Sequence, residues 1–534
     1  MRRVLVRLLL LFVTWCLVVA HLGVQVPPAD DAERPGAESG SQWIPRAKAG
    51  LNHAVLVGDP YARGLAWGRF TQDLLEREED ALVERFRGFF PLAPARLAFL
   101  LFAKRWFWGI SAYLDEEWLR EMHGVAQSAP AKYAYLADPY TRQLALHALH
   151  EVGQMFVDYA PGDFGCTVLA YPHGGHWLVG RNFDFEGGRI FDEEKILKWV
   201  FPDKGIPFVS VIWAGMVGAV TGVNAHGVYI SINAAGSSDF GRLGTPSTLI
   251  LTKALQTATT AAAAVEIFRV HKTIITEIFV VTGPGAPLYV IEKSPKRMHV
   301  AIHQDPTSVA NHLLDPDWAG DKINEFRKRE LTTLARYGRA EAILAEIAAR
   351  AKADPKGLTR DGAAWILDGI RDKQVPNTKA AQLGNRQAID ALIATHAVVY
   401  DSARALLYVG VGPSLTGEFR GFDLAKSFAE RIPVEIDSPL PSDSEVSAER
   451  YAAVKAQNEL YLKTIARKDW RCEDTKDVRI HVSQGEENYL KAMALATLDE
   501  ACGNRAGARL LWARALALSP AYKKERRLAL EGTK

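Results

Sequence analysis

Gly165-Cys166-Thr167-Val168-Leu169-Ala170-Tyr171-Pro172-His173-Gly174-Gly175-His176-Trp177-Leu178-Val179-Gly180-Arg181-Asn182-Phe183-Asp184 is the stretch from which the fold is read. Thr167 to Tyr171 is β-prone, Pro172 to His176 carries turn chemistry, and Trp177 to Asn182 is a second apolar run, so the segment predicts a hairpin. Pairing Tyr171 with Trp177 sets Thr167 opposite Arg181 and Cys166 opposite Asn182, with Asp184 just past the strand end. A slip of one residue exchanges the two faces. In either register a thiol, a guanidinium and a carboxylate stay neighbours.

Most buried cysteines are inert core residues. A catalytic thiol needs a base, and the only histidines of this hairpin sit on its turn. If the Gly165–Cys166 bond is cut, Cys166 carries its own α-amine, with a pKa of about 7.7 to 8.0 against about 8.5 for the thiol. Moving the proton from sulfur to that amine costs roughly 1 kcal/mol, whereas an ordinary Glu near about 4.3 would cost nearly 6. Arg181 favours the thiolate, and Asp184 can orient the amine. Gly165 suits a scissile position because its carbonyl must bend toward the sulfur and glycine takes unusual backbone angles cheaply.

The run Gly165-Cys166-Thr167, then Gly180 to Asp184, then Val223-Asn224 and Gly227-Val228 leading into Ser231-Ile232-Asn233-Ala234-Ala235-Gly236, resembles the N-terminal-nucleophile hydrolases. The nearest likeness is to the acyl-coenzyme A:6-aminopenicillanic acid acyltransferase-like cysteine peptidases; acid ceramidase and bile-salt hydrolase are more distant. The resemblance spans roughly Asn52 to Leu424. It implies autocleavage between Gly165 and Cys166, an N-to-S acyl shift followed by thioester hydrolysis, with residues 43–165 as a helical pro-region that stays packed on the larger chain. It also implies that Asn311, in Ser308 to Leu313, binds the oxyanion or a substrate amide, and that Thr395-His396 lies in a closing strand.

The chain has 534 residues, 48% hydrophobic and 24% charged, with a formal charge of +2. This is ordinary globular composition, and its balance asks for no nucleic acid or acidic partner. Arg2, Arg3 and Arg7 precede the apolar run Leu8 to Ala20, the layout of a signal peptide or a membrane anchor over residues 1–26. Either reading puts the protein outside the cytoplasm, secreted or periplasmic, or tethered to a membrane. Residues 27–42 read as a linker and 166–432 as the hydrolase core. Residues 433–447 form a second, Pro/Ser/Asp-rich linker, and 448–534 a helical, tetratricopeptide-like tail. One such repeat cannot bury its own face, so the tail is expected to dock on the core or a partner. Cys472 and Cys502 lie in it and can pair in an oxidising compartment.

Within the core, Glu186 to Gly205 reads as a polar loop over the pocket. Ile206 to Trp213, Ala219 to Asn224 and Val228 to Asn233 read as strands, Thr248 to Gln256 and Ala261 to Val270 as helices. Three further strands over 277–303, the amphipathic stretch 318–354 and a hairpin over 394–409 complete a four-layer α-β-β-α sandwich, an α+β fold. Asn233, at a strand end, can point its amide at a substrate carbonyl as an oxyanion donor. Asn224 reads as a turn residue and His312 as structural or pocket-lining. His147, His150 and Glu151 match no zinc signature and read as a polar helix face. Gly410 to Pro413 lacks the helix and acidic partner of a dinucleotide site and reads as a turn.

The catalytic set is therefore Cys166, Arg181, Asp184, Asn233 and Asn311, with no cofactor or metal. The activity expected is a self-processing hydrolase or acyltransferase on small linear acyl amides, with acyl-coenzyme A or another acyl donor as a further partner. Two alternatives stand beside it. One is a ceramidase-like or bile-salt-hydrolase-like lipid amidase; the other is a non-catalytic envelope protein that binds partners through its C-terminal helices.

Overall fold

A computed structural model describes residues 40–534 except 107, 157–163, 187, 377, 379 and 380. The leader expected over 1–26 and nearly all of the first linker lie outside the described residues.

Two sheets form the centre. One has nine strands in the order β1 (Gln42–Ile44), β2 (Asn52–Gly58), β5 (Ile196–Pro202), β6 (Phe208–Ile212), β7 (Thr221–Asn224), β8 (Tyr229–Ala234), β9 (Glu277–Thr282), β10 (Leu288–Lys293) and β11 (Met298–His303). The other has six, in the order β12 (Thr307–Val309), β3 (Phe164–His173), β4 (His176–Phe185), β13 (Ala394–Asp401), β14 (Leu406–Gly410) and β15 (Phe419–Asp423). Because both faces of each sheet are covered, strands such as β5 and β6 read as near-continuous apolar runs. Trp199, Val209 and Tyr229 of the first sheet meet Val168, Val398 and Tyr400 of the second. Helices Ser247–Thr257 and Ala261–Val270 cover the outer face of the nine-stranded sheet through Leu251 and Phe268. Helices Thr333–Ala353 and Pro355–Ile370 cover the six-stranded one through Ile343, Ile347 and Ile366. These are the four α-β-β-α layers.

The hairpin register differs by one residue from the one read above. Gly174 and Gly175 both take positive φ and make a two-residue turn of the kind that fits strand twist, so pairing runs on through His173↔His176. Cys166 lies opposite Phe183, Val168 opposite Arg181 and Gly165 opposite Asp184. Since side chains alternate, Cys166, Arg181 and Phe183 share the face between the sheets. Asp184 points the other way, toward the Thr333–Ala353 helix.

Other boundaries differ as well. The 43–165 region carries helices Pro60–Phe89, Glu116–Ala126 and Pro139–Phe156, but β2 is also inserted in the large sheet, parallel to β5. The expected loop over Glu186 to Gly205 contains β5, a fully buried central strand except at Pro202; the charges that flank it, Asp192 to Lys195 and Asp203-Lys204, and Lys198 within it masked a short apolar run. Residues 433–447 are not a free tether: Leu440 bridges Phe419, and Lys373 pairs with Asp443 at 2.6 Å. The tail holds more than one helix pair. Ala448–Ala466, Thr475–Gln484, Tyr489–Ala501, Arg505–Ala517 and Lys523–Gly532 enclose a core of Tyr461, Met493 and Trp512, so it does bury its own face. Cys472 and Cys502 are disulfide-bonded. The tail docks on the core, with Lys455 Nζ 2.7 Å from Glu186 and Gln387 Nε2 donating to the Pro520 carbonyl.

Candidate active site

Cys166 is buried at 2% exposure near the start of β3. Burial pushes its thiol up, and Arg181, whose Nη2 lies 4.0 Å from the sulfur, opposes that shift. The Ala234 backbone N–H also reaches the sulfur. Arg181 is itself fully buried, donates to Thr221 Oγ1 and the Ile232 carbonyl, and lies 4.8 Å from the Phe183 ring. His396 Nε2 is 3.0 Å from Arg181 Nη1, and its ring stacks on Phe183. Burial and the neighbouring cation hold that imidazole far below its ordinary value, so it is neutral and an acceptor. This places His396 of the closing strand behind the arginine.

On the nitrogen side of Cys166, Asn311 Oδ1 accepts the Cys166 N–H at 2.9 Å, and its Nδ2 donates to the Ala234 carbonyl at 2.8 Å. Arg336, absent from the set read in the sequence, donates from Nη2 to Asn311 Oδ1 at 2.6 Å. Its Nη1 donates to the Cys166 carbonyl at 2.6 Å and to Thr167 Oγ1 at 2.9 Å. One guanidinium thus fixes both the cysteine backbone and the side chain that holds its nitrogen. The signal for it was present: Arg336, Ala340, Ile343 and Ile347 fall on one helix stripe, and an arginine in an otherwise apolar stripe must have a buried partner.

Asp184 lies beside Gly165 on the helix-facing side. A Cβ on residue 165 would lie 3.0 Å from Asp184 Oδ2 and press on that carboxylate; its φ is not left-handed. Burial raises the Asp184 carboxyl to about 7, with Arg336 the main opposing charge. Its Oδ1 has no hydrogen-bond partner among the described residues.

Asn233 stands on β8 facing between the sheets, with its amide turned to the Val309 and Ala310 carbonyls at 3.4 and 3.1 Å. In this uncut chain it braces the turn that carries Asn311. His312 points away from the thiol. Its Nδ1 is 2.8 Å from Thr333 Oγ1, burial lowers it to about 4, and it lines a cleft of about 350 Å³ at the sheet edge with His299, His303 and Glu341. Asn224 accepts the His226 and Val228 N–H groups, as a turn residue does. His147 Nε2 accepts the Val217 N–H and Glu151 accepts the Ser247 N–H, so both grip backbone of the core; the His150 side chain lies outside the described residues. Four of the five residues picked from the sequence, Cys166, Arg181, Asp184 and Asn311, therefore converge, and Asn233 reaches them through the 309–311 turn.

A four-layer sandwich with a cysteine on an inner strand, its nitrogen held by an asparagine and its sulfur beside an arginine, is the architecture expected from the N-terminal-nucleophile likeness. Residues 172–350 match the family model described as acyl-coenzyme A:6-aminopenicillanic acid acyl-transferase, the family that the motifs resemble. Solved structures similar to this chain include a Caenorhabditis elegans N-acylethanolamine-hydrolyzing acid amidase ortholog (15% identity, 44% of this chain and 92% of that one, TM-score 0.32). A conjugated bile acid hydrolase from Clostridium perfringens matches at 12% identity over 53% of this chain and 100% of its own, TM-score 0.35. A penicillin V acylase from Agrobacterium tumefaciens matches at 15% identity over 49% and 86%, TM-score 0.32.

Proposed function

We propose that this protein is a self-processing cysteine hydrolase or acyltransferase that acts on linear acyl amides through a thioester. The observation that carries the reading is the 2.9 Å hydrogen bond from the Cys166 nitrogen to Asn311, beside a thiol with the Arg181 guanidinium 4.0 Å away. The nitrogen that would become the amine is already seated.

In processing, the Cys166 sulfur bonds to the Gly165 carbonyl carbon and the peptide C–N bond breaks. The thiol proton passes to the departing nitrogen. Water then hydrolyses the thioester, leaving a Gly165 carboxylate and a free thiol. In turnover the new amine takes the thiol proton, the thiolate attacks the substrate carbonyl, and the same proton leaves with the product amine. The Ala234 N–H, already on the sulfur, is the nearest oxyanion donor, and Asn233 adds a second once its amide turns from the 309–310 carbonyls. Asn311 serves the amine rather than the oxyanion, and Asp184 faces the new ammonium. Water or an acceptor amine then releases the acyl group.

The lipid-amidase version has an observation of its own. Phe183, opposite Cys166 in the hairpin, packs with Trp213, Phe191 and Phe185 in a continuous aromatic cluster of the core, with centroid spacings of 5.2 to 6.0 Å, so apolar surroundings for an acyl chain lie next to the thiol.

Denaturing electrophoresis with N-terminal sequencing tests the proposal. Wild type should give two bands, the larger beginning at Cys166, and Cys166→Ala a single uncut band without amidase activity on a panel of acyl amides. Uncut wild type that still turns over amides would overturn it.

A further inference from the structure

We propose that the helical hairpin formed by the end of Pro60–Phe89 and by Ala93–Trp106 is a membrane-docking surface that lies in the lipid interface. From Arg85 to Leu114 the sequence holds Arg85, Arg87, Arg96, Lys104 and Arg105 and no acidic residue, together with Phe86, Phe89, Phe90, Phe99, Phe102, Trp106 and Trp108. Cationic residues interleaved with large apolar and aromatic ones are the composition of a helix that sits among anionic headgroups.

Among the described residues, nothing covers this surface. Buried positions of the Pro60–Phe89 helix end at Glu78, and its last turns project past the core. The Ala93–Trp106 helix contains the run Leu97-Ala98-Phe99-Leu100-Leu101-Phe102, apolar on every side, yet has no buried residue. Phe86, Phe90 and Phe99 pack on one another at 4.9 to 5.4 Å and hold the hairpin shut. Outside that cluster Phe89, Leu92, Leu97 and Phe102 are 43 to 69% exposed, and Phe240, in tilted ring contact with Trp106, extends the patch. Arg87 and Lys104 are exposed along it.

A bilayer fits this surface better than a crossing helix or a protein groove. No single helix among the described residues is long and apolar enough to cross a membrane, and the two helices meet at 114°. The 14 residues of the second span only about 21 Å against a hydrocarbon core of roughly 30 Å. The only charges from Arg85 to Leu114 are positive, with Glu84 and Asp115 just outside that stretch and Asp239, beside Phe240, paired with Arg297; this balance complements an anionic lipid surface. The chain upstream carries Arg2, Arg3, Arg7 and the apolar run Leu8 to Ala20, and stable membrane attachment commonly takes two weak signals.

The test is hydrogen–deuterium exchange of the purified full chain, with and without vesicles of phosphatidylcholine containing phosphatidylglycerol. Vesicles should slow exchange across 86–106, and Leu97→Asp with Phe102→Asp, at exposed positions, should lower the vesicle partition coefficient at least about tenfold. Unchanged exchange over 86–106 while the chain is bound would overturn the proposal and leave attachment to the N-terminal run alone. Protection that grows with protein concentration and needs no vesicles would overturn it in favour of a second copy.

Discussion

Replacing Asp184 by Asn should change how stability depends on pH, and the sign follows from burial. The carboxyl ordinarily titrates near 3.8 and is raised to about 7 in the folded, uncut chain, so the native state binds its proton more tightly than the unfolded one. Its contribution is full below pH 3.8, falls as pH rises, and is gone above pH 7. The difference is worth up to about 4 kcal/mol at roughly 1.4 kcal/mol per pH unit. Asn keeps the shape and cannot ionise. The comparison belongs in a Cys166→Ala background, where both chains stay uncut, with denaturant unfolding measured from pH 4 to 8. Groups that do not interact with Asp184 cancel in the difference, while Asp390, raised to about 6 and repelling Asp184, adds to it, so the Asp184→Asn chain should gain on its parent as pH rises through this window, reaching a few kcal/mol at pH 8. A difference that is flat with pH would show that burial does not raise the Asp184 carboxyl, and its proposed pairing with a Cys166 ammonium would lose its physical basis.

Arg336→Met should cost on the order of 3 kcal/mol, since it takes the guanidinium from the buried Cys166 carbonyl, leaves Asn311 Oδ1 with the Cys166 N–H alone, and removes the main charge facing Asp184. Thermal unfolding and the rate of self-cleavage should both show it, with Arg336→Lys recovering only part because one ammonium cannot reproduce the fork. A wild-type melting temperature and cleavage rate in Arg336→Met would remove its assigned role. Gly165→Ala should slow cleavage roughly tenfold or more, because the new Cβ pushes on the Asp184 carboxylate at an overpacking cost of about 1–3 kcal/mol. A time course on denaturing gels measures it, and an unchanged rate would mean the close approach has no part in processing.

Several features were legible because they are local. The alternation of apolar residues marked most strands of the sandwich, and the order of the three motifs gathered Cys166, Arg181, Asp184 and Asn233 on or just past neighbouring strands. The missed strand β5 shows the limit of that reading. Its Lys198 is buried, with Nζ on the Met216 and Val217 carbonyls, so a residue type that normally signals solvent stood inside a sheet. The tail was legible as helical, but its extra helices and its grip on Glu186 and Gln387 depend on contacts distant in sequence.

By itself the sequence determined which chemistry is present: a cysteine after a glycine, a hairpin to carry it, an arginine and a carboxylate on the returning strand, and an asparagine at the end of a third. Tertiary structure decided which of these face the sulfur and which face its nitrogen. The Gly174-Gly175 turn set the register one residue from the expected one and so put Arg181, rather than Asp184, on the cysteine's face of the sheet. Arg336 then arrived from a helix 170 residues away to bind the cysteine carbonyl. Period and motif fix what each segment tends to be, but the face a side chain takes, and the charge it meets there, exist only once distant segments pack.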